Sequence, residues 1–273
     1  MGKARIEAME STTLITPRSE GPDFVGIGVQ KCGTTWLGDI LSQHPDVLVE
    51  KKEISFYTHH FHKGYNWYHN WFKEKNGRIA GEITVSYLFL PRPDSFHKEF
   101  YPKRNPKRTL LFWRKQPSAR DQLLEHYPGL RVFAIFRNPA DRAWSHYWFW
   151  RNRRERMGKR IVPFEDFFAA DARWVQTHGL YADHLAYWRE AFPDMGVYLF
   201  DDLKNDPDTL IKDLYRFVGV RDDFTPVIGE KVNAGRYEKM PKEVRTQLIA
   251  HYRDQIERFS VMIGRDLTPW LQR

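Results

Sequence analysis

The chain has one cysteine, Cys32, in 273 residues, so it cannot close an internal disulfide or assemble a multi-cysteine metal site. A reducing, cytoplasmic setting is the expectation that follows. No stretch approaches the ~18 uncharged apolar residues of a membrane-spanning helix, and Met1 to Asp23 lacks the apolar run of a secretory leader. No internal repeat appears, and no Gly-, Ser- or Pro-rich linker divides the chain. The expected organisation is a flexible N-terminal arm over residues 1–22 and a single domain over 23–273. Apolar residues at 41% and charged residues at 29% exclude collagen-like and wholly disordered chains. With 43 Lys and Arg against 35 Asp and Glu, the formal charge is +8, which favours an anionic ligand.

The apolar run Phe24 to Val29 reads as a strand. A small-residue turn follows, then Thr34 to Gln43, where Trp36, Leu37, Ile40 and Leu41 recur at helical spacing. The same order returns at Leu130 to Phe136, a buried strand, followed after Arg137-Asn138-Pro139 by a helix to about Arg154. A further strand, Val197 to Phe200, lies between the helices Tyr181 to Phe192 and Pro207 to Val218, and Lys242 to Phe259 forms a C-terminal helix. Alternating strands and helices predict an α/β domain with a mainly parallel sheet flanked by helices. Pro91 to Ser118, dense in Pro, basic and aromatic residues, reads as a surface insertion, and Thr225 to Tyr237 as irregular.

The segment Gly26-Ile-Gly-Val-Gln-Lys-Cys-Gly-Thr-Thr-Trp36 joins the first strand to its helix. A glycine-bearing turn there aims backbone amides and the helix dipole at one point outside the sheet edge, a natural seat for phosphate. Lys31 adds positive charge, and Thr34 and Thr35 add hydroxyls. A nucleotide-hydrolysing P-loop needs GxxxxGK[ST], whereas here Lys31 precedes Gly33. The dinucleotide fingerprint GxGxxG also fails, because Lys31 occupies the place of the third glycine.

Gln30-Lys-Cys-Gly-Thr-Thr-Trp-Leu37 resembles the 5′-phosphosulfate loop of sulfotransferases that use 3′-phosphoadenosine-5′-phosphosulfate (PAPS), with Gln for Pro and Cys for Ser. The resemblance implies that Lys31, Gly33, Thr34 and Thr35 hold the 5′-phosphosulfate, with Trp36 near the adenine. It also implies a sulfotransferase fold akin to P-loop kinases. The second unit, Phe136-Arg-Asn-Pro-Ala-Asp-Arg-Ala-Trp-Ser-His-Tyr147, resembles the family's 3′-phosphate motif, which assigns that phosphate to Arg137 and Ser145. Arg142, in the helix's first turn, reads equally well as the partner of a nearby carboxylate.

Sulfuryl transfer requires a base for the acceptor's proton and positive charge on the departing phosphate. Lys31 supplies the charge. Lys51-Lys-Glu-Ile-Ser-Phe-Tyr57 resembles a segment of the heparan-sulfate-type branch whose glutamate is the proposed base, which makes Glu53 one candidate, its pKa expected to be lowered by the adjacent lysines. A histidine is the other: His59, His60 and His62 follow closely, and a histidine serves as base in the small-molecule branch. No metal is expected. Gly64 to Tyr68 and Gly81 to Tyr87 also resemble that branch, though Ile83 stands where it carries a lysine. Tyr65, Trp67, Tyr68 and Tyr87 read either as acceptor-stacking residues or as core. Gly179 to Trp188 resembles a scaffolding helix, and Asn233-Ala-Gly-Arg236 lies where relatives close over the nucleotide, which carries over Gly235 and Arg236 as binding residues.

The expectation is a soluble, bacterial-type sulfotransferase moving a sulfuryl group from PAPS to an acceptor hydroxyl and leaving adenosine 3′,5′-bisphosphate (PAP). Neither nucleic acid nor a membrane is an expected partner. Two other readings stand beside it: a nucleic-acid-binding protein, prompted by the net charge and by Arg151-Asn-Arg-Arg-Glu-Arg156, and a nucleotide kinase.

Overall fold

A computed structural model describes residues 16–50, 53–89, 118–170, 175–228 and 238–272. Short apolar segments form five parallel strands: β1 (Phe24–Gly26), β2 (Val47–Val49), β3 (Ile79–Ile83), β4 (Arg131–Phe136) and β5 (Gly196–Leu199). Their order across the sheet is β2-β3-β1-β4-β5. Phe24 pairs with Gly81 on one side and with Arg131 on the other. Pairing continues beyond β1, with Val29 N donating to Ile135 O at 3.0 Å and Ile135 N to Gly28 O at 2.9 Å. The central strands are almost wholly buried, as a parallel sheet covered on both faces requires. At Gly81 an added Cβ would stand 2.5 Å from the Phe24 carbonyl, so only glycine lets β3 close on β1.

The helices are α1 (Thr34–Gln43), α2 (Tyr65–His69), α3 (Ala119–His126), α4 (Pro139–Arg156), α5 (Phe164–Ala170), α6 (Tyr181–Ala191), α7 (Phe200–Asn205), α8 (Pro207–Val218) and α9 (Lys242–Ile263). Among the described residues none is long and apolar enough to cross a membrane. From the middle strand β1 the chain leaves through α1 toward β2 and β3, and later returns to β4 on the opposite side. That reversal opens a crevice at the C-terminal ends of β1 and β4, where open α/β sheets place their ligands.

The sequence reading locates β1, β4, β5 and the major helices but not β2 or β3. Phe200, read as the end of a strand, instead begins α7. Residues 16–22, assigned to the arm, are tied to the body: Arg18 donates to the Pro128 carbonyl, Glu20 pairs with His69 at 3.1 Å, and Lys75 Nζ donates to Gly21 O at 3.2 Å. Pro91 to Ser118 lies outside the described residues except for Ser118, as do residues 229–237, which include Gly235 and Arg236.

Candidate active site

The loop after β1 turns sharply because two residues adopt left-handed backbone conformations, Lys31 at φ 69° and Gly33 at φ 100°. Gly33 is the N-cap of α1, and the first intrahelical bond runs from Leu37 N to Gly33 O at 3.1 Å. The first turn has no side-chain cap and no acidic residue, so the amides of Thr34, Thr35 and Trp36 are left for an anion. Thr34 and Trp36 are half-buried and Thr35 is exposed.

The loop after β4 is built differently. Asn138 accepts a hydrogen bond from Ala140 N at 2.9 Å and caps α4, with Pro139 in the first turn. This leaves Arg137 at the strand end, beside the first loop. Its guanidinium donates to the Lys31 carbonyl at 3.4 Å and lies 4.8 Å from the centre of the Phe200 ring, while its Nε is buried without a partner. Tyr181 of α6 joins the two loops from beneath, donating to Arg137 O at 2.8 Å while its hydroxyl lies 4.0 Å from Cys32 Sγ. Arg137 also lines a cavity of about 360 Å³ with Asp141, Trp144, Glu238, Lys239, Met240 and Arg245.

Two cations thus converge, and among the described residues neither has a carboxylate within ion-pair distance. Burial and the neighbouring Arg137 charge lower the pKa of Lys31, whose Nζ rests 4.7 Å above the Phe149 ring. Burial, Arg142 and Lys31 push His146 down to about 3, which keeps that ring neutral. Burial pushes the Cys32 thiol up to about 11, so the cysteine is packing rather than nucleophile.

Ser145 is 6% exposed, and its hydroxyl makes no hydrogen bond among the described residues. Arg142 has no carboxylate partner among them either: it is fully buried, donates to the Val175 carbonyl, and leaves Nε and Nη1 unpaired.

On the other flank of β1, the loop after β2 brings in Glu53. The residue is exposed as a whole, yet loss of water around its carboxyl raises the pKa above its ordinary value, with the nearby Val85 backbone opposing that shift. The direction is opposite to the lowering expected from Lys51 and Lys52, which lie outside the described residues. His59 is also exposed, with Nδ1 3.0 Å from Thr58 Oγ1, and desolvation lowers its pKa. Thr58 in turn lies 2.9 Å from Ser86 Oγ in the turn after β3.

Tyr68 and Tyr87 are buried core residues, Tyr68 stacking on Phe56 at 4.5 Å, whereas Tyr65 and Trp67 are half-buried. Ile83 faces α1 at Gly38. The sequence reading does not name Tyr181 or Phe149 as site residues: the motif around Tyr181 resembles a scaffolding helix only, and a phenylalanine in a basic helix carries no signal of its own.

The structure is similar to a crystal structure of a sulfotransferase from Alicyclobacillus acidocaldarius, with a TM-score of 0.71 and 23% identity over 92% of this chain and 99% of that one. In sequence the chain is similar to the Homo sapiens bifunctional heparan sulfate N-deacetylase/N-sulfotransferase 3, 25% identical over 92% of this chain and 31% of that protein. The Homo sapiens N-deacetylase/N-sulfotransferase 1 is 26% identical over the same shares. The chain therefore spans about a third of the length of the curated relatives it matches. The sulfotransferase domain family matches residues 21–253, a span that takes in the loops after β1 and β4 and the sheet edge that carries them, and this chain belongs to that family.

Proposed function

We propose that the protein transfers a sulfuryl group from PAPS to an acceptor hydroxyl on a carbohydrate, lipid, carrier-bound alcohol or small molecule. The observation that carries the reading is the apposition of Lys31 and Arg137 at the switch point of the sheet, two cations without carboxylates among the described residues. A donor with phosphate at both its 5′ and 3′ positions fits this arrangement, and the unpaired buried Arg137 Nε is a donor in need of an acceptor.

In this reading Lys31, Gly33, Thr34 and Thr35 hold the 5′-phosphosulfate through charge, amides and hydroxyls, with Trp36 beside the adenine. Arg137 and Ser145 hold the 3′-phosphate, and Gly235 and Arg236, outside the described residues, belong to the nucleotide-binding set by family resemblance. The donor supplies an electrophilic sulfur and a phosphate leaving group. Glu53 takes the proton of the acceptor hydroxyl as its oxygen bonds to sulfur. Lys31 meets the negative charge that collects on the 5′-phosphate as the old sulfur–oxygen bond breaks, an electrostatic contribution made where water is scarce. The raised pKa of Glu53 suits a base better than the depressed value expected from its lysines. His59 is the alternative base. A cytoplasmic site of action belongs to the same reading, since the one thiol is buried and unpaired.

Incubation with ³⁵S-labelled PAPS and a panel of hydroxyl acceptors, alongside calorimetry with PAP and ATP, tests the proposal. Label transfer and PAP binding that ATP does not displace are expected. Failure to bind PAP overturns it.

A further inference from the structure

The carboxyl of Glu82 has no part in the chemistry above. It is 0% exposed on β3, and among the described residues no cation pairs with it. Burying a carboxylate without a counter-charge is costly unless hydrogen bonds replace its water. Three hydroxyls do so. Tyr68 of α2 and Tyr87 donate to Oε1 at 2.5 and 3.1 Å, and Thr84 donates to Oε2 at 2.7 Å.

Thr84 makes a second connection. Its single hydrogen is committed to Glu82, so the Oγ1 lone pair is free to accept from Ser55 N, at 3.2 Å. Ser55 sits at φ 52°, an unfavourable conformation for a non-glycine residue that persists only where its surroundings enforce it. Ser55 lies two residues after Glu53, so what holds the Ser55 amide also bears on the placement of Glu53. A buried carboxylate, a threonine and one backbone amide therefore link the interior of β3 to the loop that carries Glu53.

We propose that Glu82 is a positioning residue: its ionised carboxyl fixes the hydrogen of Thr84, and through Thr84 the Ser55 segment and the aim of Glu53. The proposal rests on the reading of Glu53 as base. Three donors match a carboxylate, which only accepts. A protonated acid or an amide brings a donor of its own, so one hydroxyl must reverse, and if Thr84 reverses it aims hydrogen at the Ser55 amide.

Among the described residues, the titratable groups facing Glu82 are Glu53 from the loop after β2, Tyr57 from the segment beyond it, Tyr68 from α2, Tyr87 from the turn after β3, and Tyr127 behind them. None of these is cationic. Burial and Glu53 push the carboxyl up to about 7 against the three hydroxyl bonds. Raising the pH through neutrality ionises Glu82 and locks the network, so kcat gains an acidic limb there.

The test compares wild type, Glu82→Gln and Thr84→Val. Expected are a fall in kcat of about tenfold or more, donor KM and PAP affinity within about twofold of wild type, faster amide exchange at Ser55 to His60, and, for Glu82→Gln, loss of the neutral limb. The KM-against-kcat split and the pH profile would not follow from general structural damage. If Glu82→Gln fails to fold, Thr84→Val reports on the same link. Unchanged kcat and exchange overturn the proposal, as does PAP affinity falling as far as kcat. Exchange needs no turnover: if wild type transfers no sulfuryl group yet both variants loosen Ser55 to His60, the assigned reaction fails while the hold of Glu82 on that segment stands.

Discussion

The Arg137 guanidinium reaches across the sheet edge to the Lys31 carbonyl at 3.4 Å, so the residue just after β4 helps to shape the loop that leaves β1. Two motifs about a hundred residues apart in sequence thereby meet on one surface, the one proposed to bind the nucleotide. A polyanionic occupant would offset the Coulomb repulsion between their charges.

Lys31→Ala removes the charge proposed to meet the leaving phosphate. Loss of about 10²- to 10³-fold in kcat is expected, the range found when one transition-state donor is deleted. Steady-state kinetics with labelled donor checks it, and near-wild-type turnover would contradict the role.

Arg137→Ala should act mainly on binding. Hydrogen bonds to charged groups contribute about 1.5–3 kcal/mol, so PAP affinity should fall by roughly one to two orders of magnitude. Titration calorimetry reads this directly, and an unchanged Kd would separate Arg137 from the nucleotide.

Glu53 and His59 are distinguished by substitution rather than by pH alone. A base works when ionised or neutral respectively, so activity dependent on either falls as pH drops through its pKa, and the raised Glu53 and lowered His59 values bring those limbs toward each other. If Glu53 is the base, Glu53→Gln lowers kcat by about 10²-fold or more and removes the acidic limb, while His59→Ala keeps both. The reverse pattern transfers the role to His59.

Cys32→Ser restores the residue that the family motif usually carries here. With the thiol buried and its pKa near 11, alkylating reagents should leave the folded wild-type protein unmodified at neutral pH, and the serine variant should turn over within a few-fold of wild type. Rapid labelling of Cys32 in the native protein, followed by mass spectrometry, would count against this.

The two anion loops were legible because each follows a continuous apolar strand and carries turn chemistry that only a few functions require. Gly33 and Pro139 mark their helix starts. By contrast, β2 is three residues long and β3 contains Gly81 and Glu82, neither a strand former, so the place of β3 is set by its close approach to Phe24 of β1 and by the hydroxyls that meet Glu82. In sequence Glu82 reads only as part of the Gly81–Tyr87 segment that resembles the heparan-sulfate-type branch. Its role as a buried acceptor depends on Tyr68, Thr84 and Tyr87 meeting in space. Tyr68 and Tyr87 could equally have faced an acceptor, and only the packing of Phe56 and α2 against β3 assigns them to the interior.

Phe149 is 45% exposed, and its ring lies beneath the Lys31 ammonium. A cation held over an aromatic face is stabilised by about 0.5–1 kcal/mol at an exposed site, far less than a phosphate would provide. In the proposed reading the ring would be a parking place, holding the Lys31 charge between turnovers weakly enough that an incoming nucleotide recruits it at a cost of no more than about 1 kcal/mol.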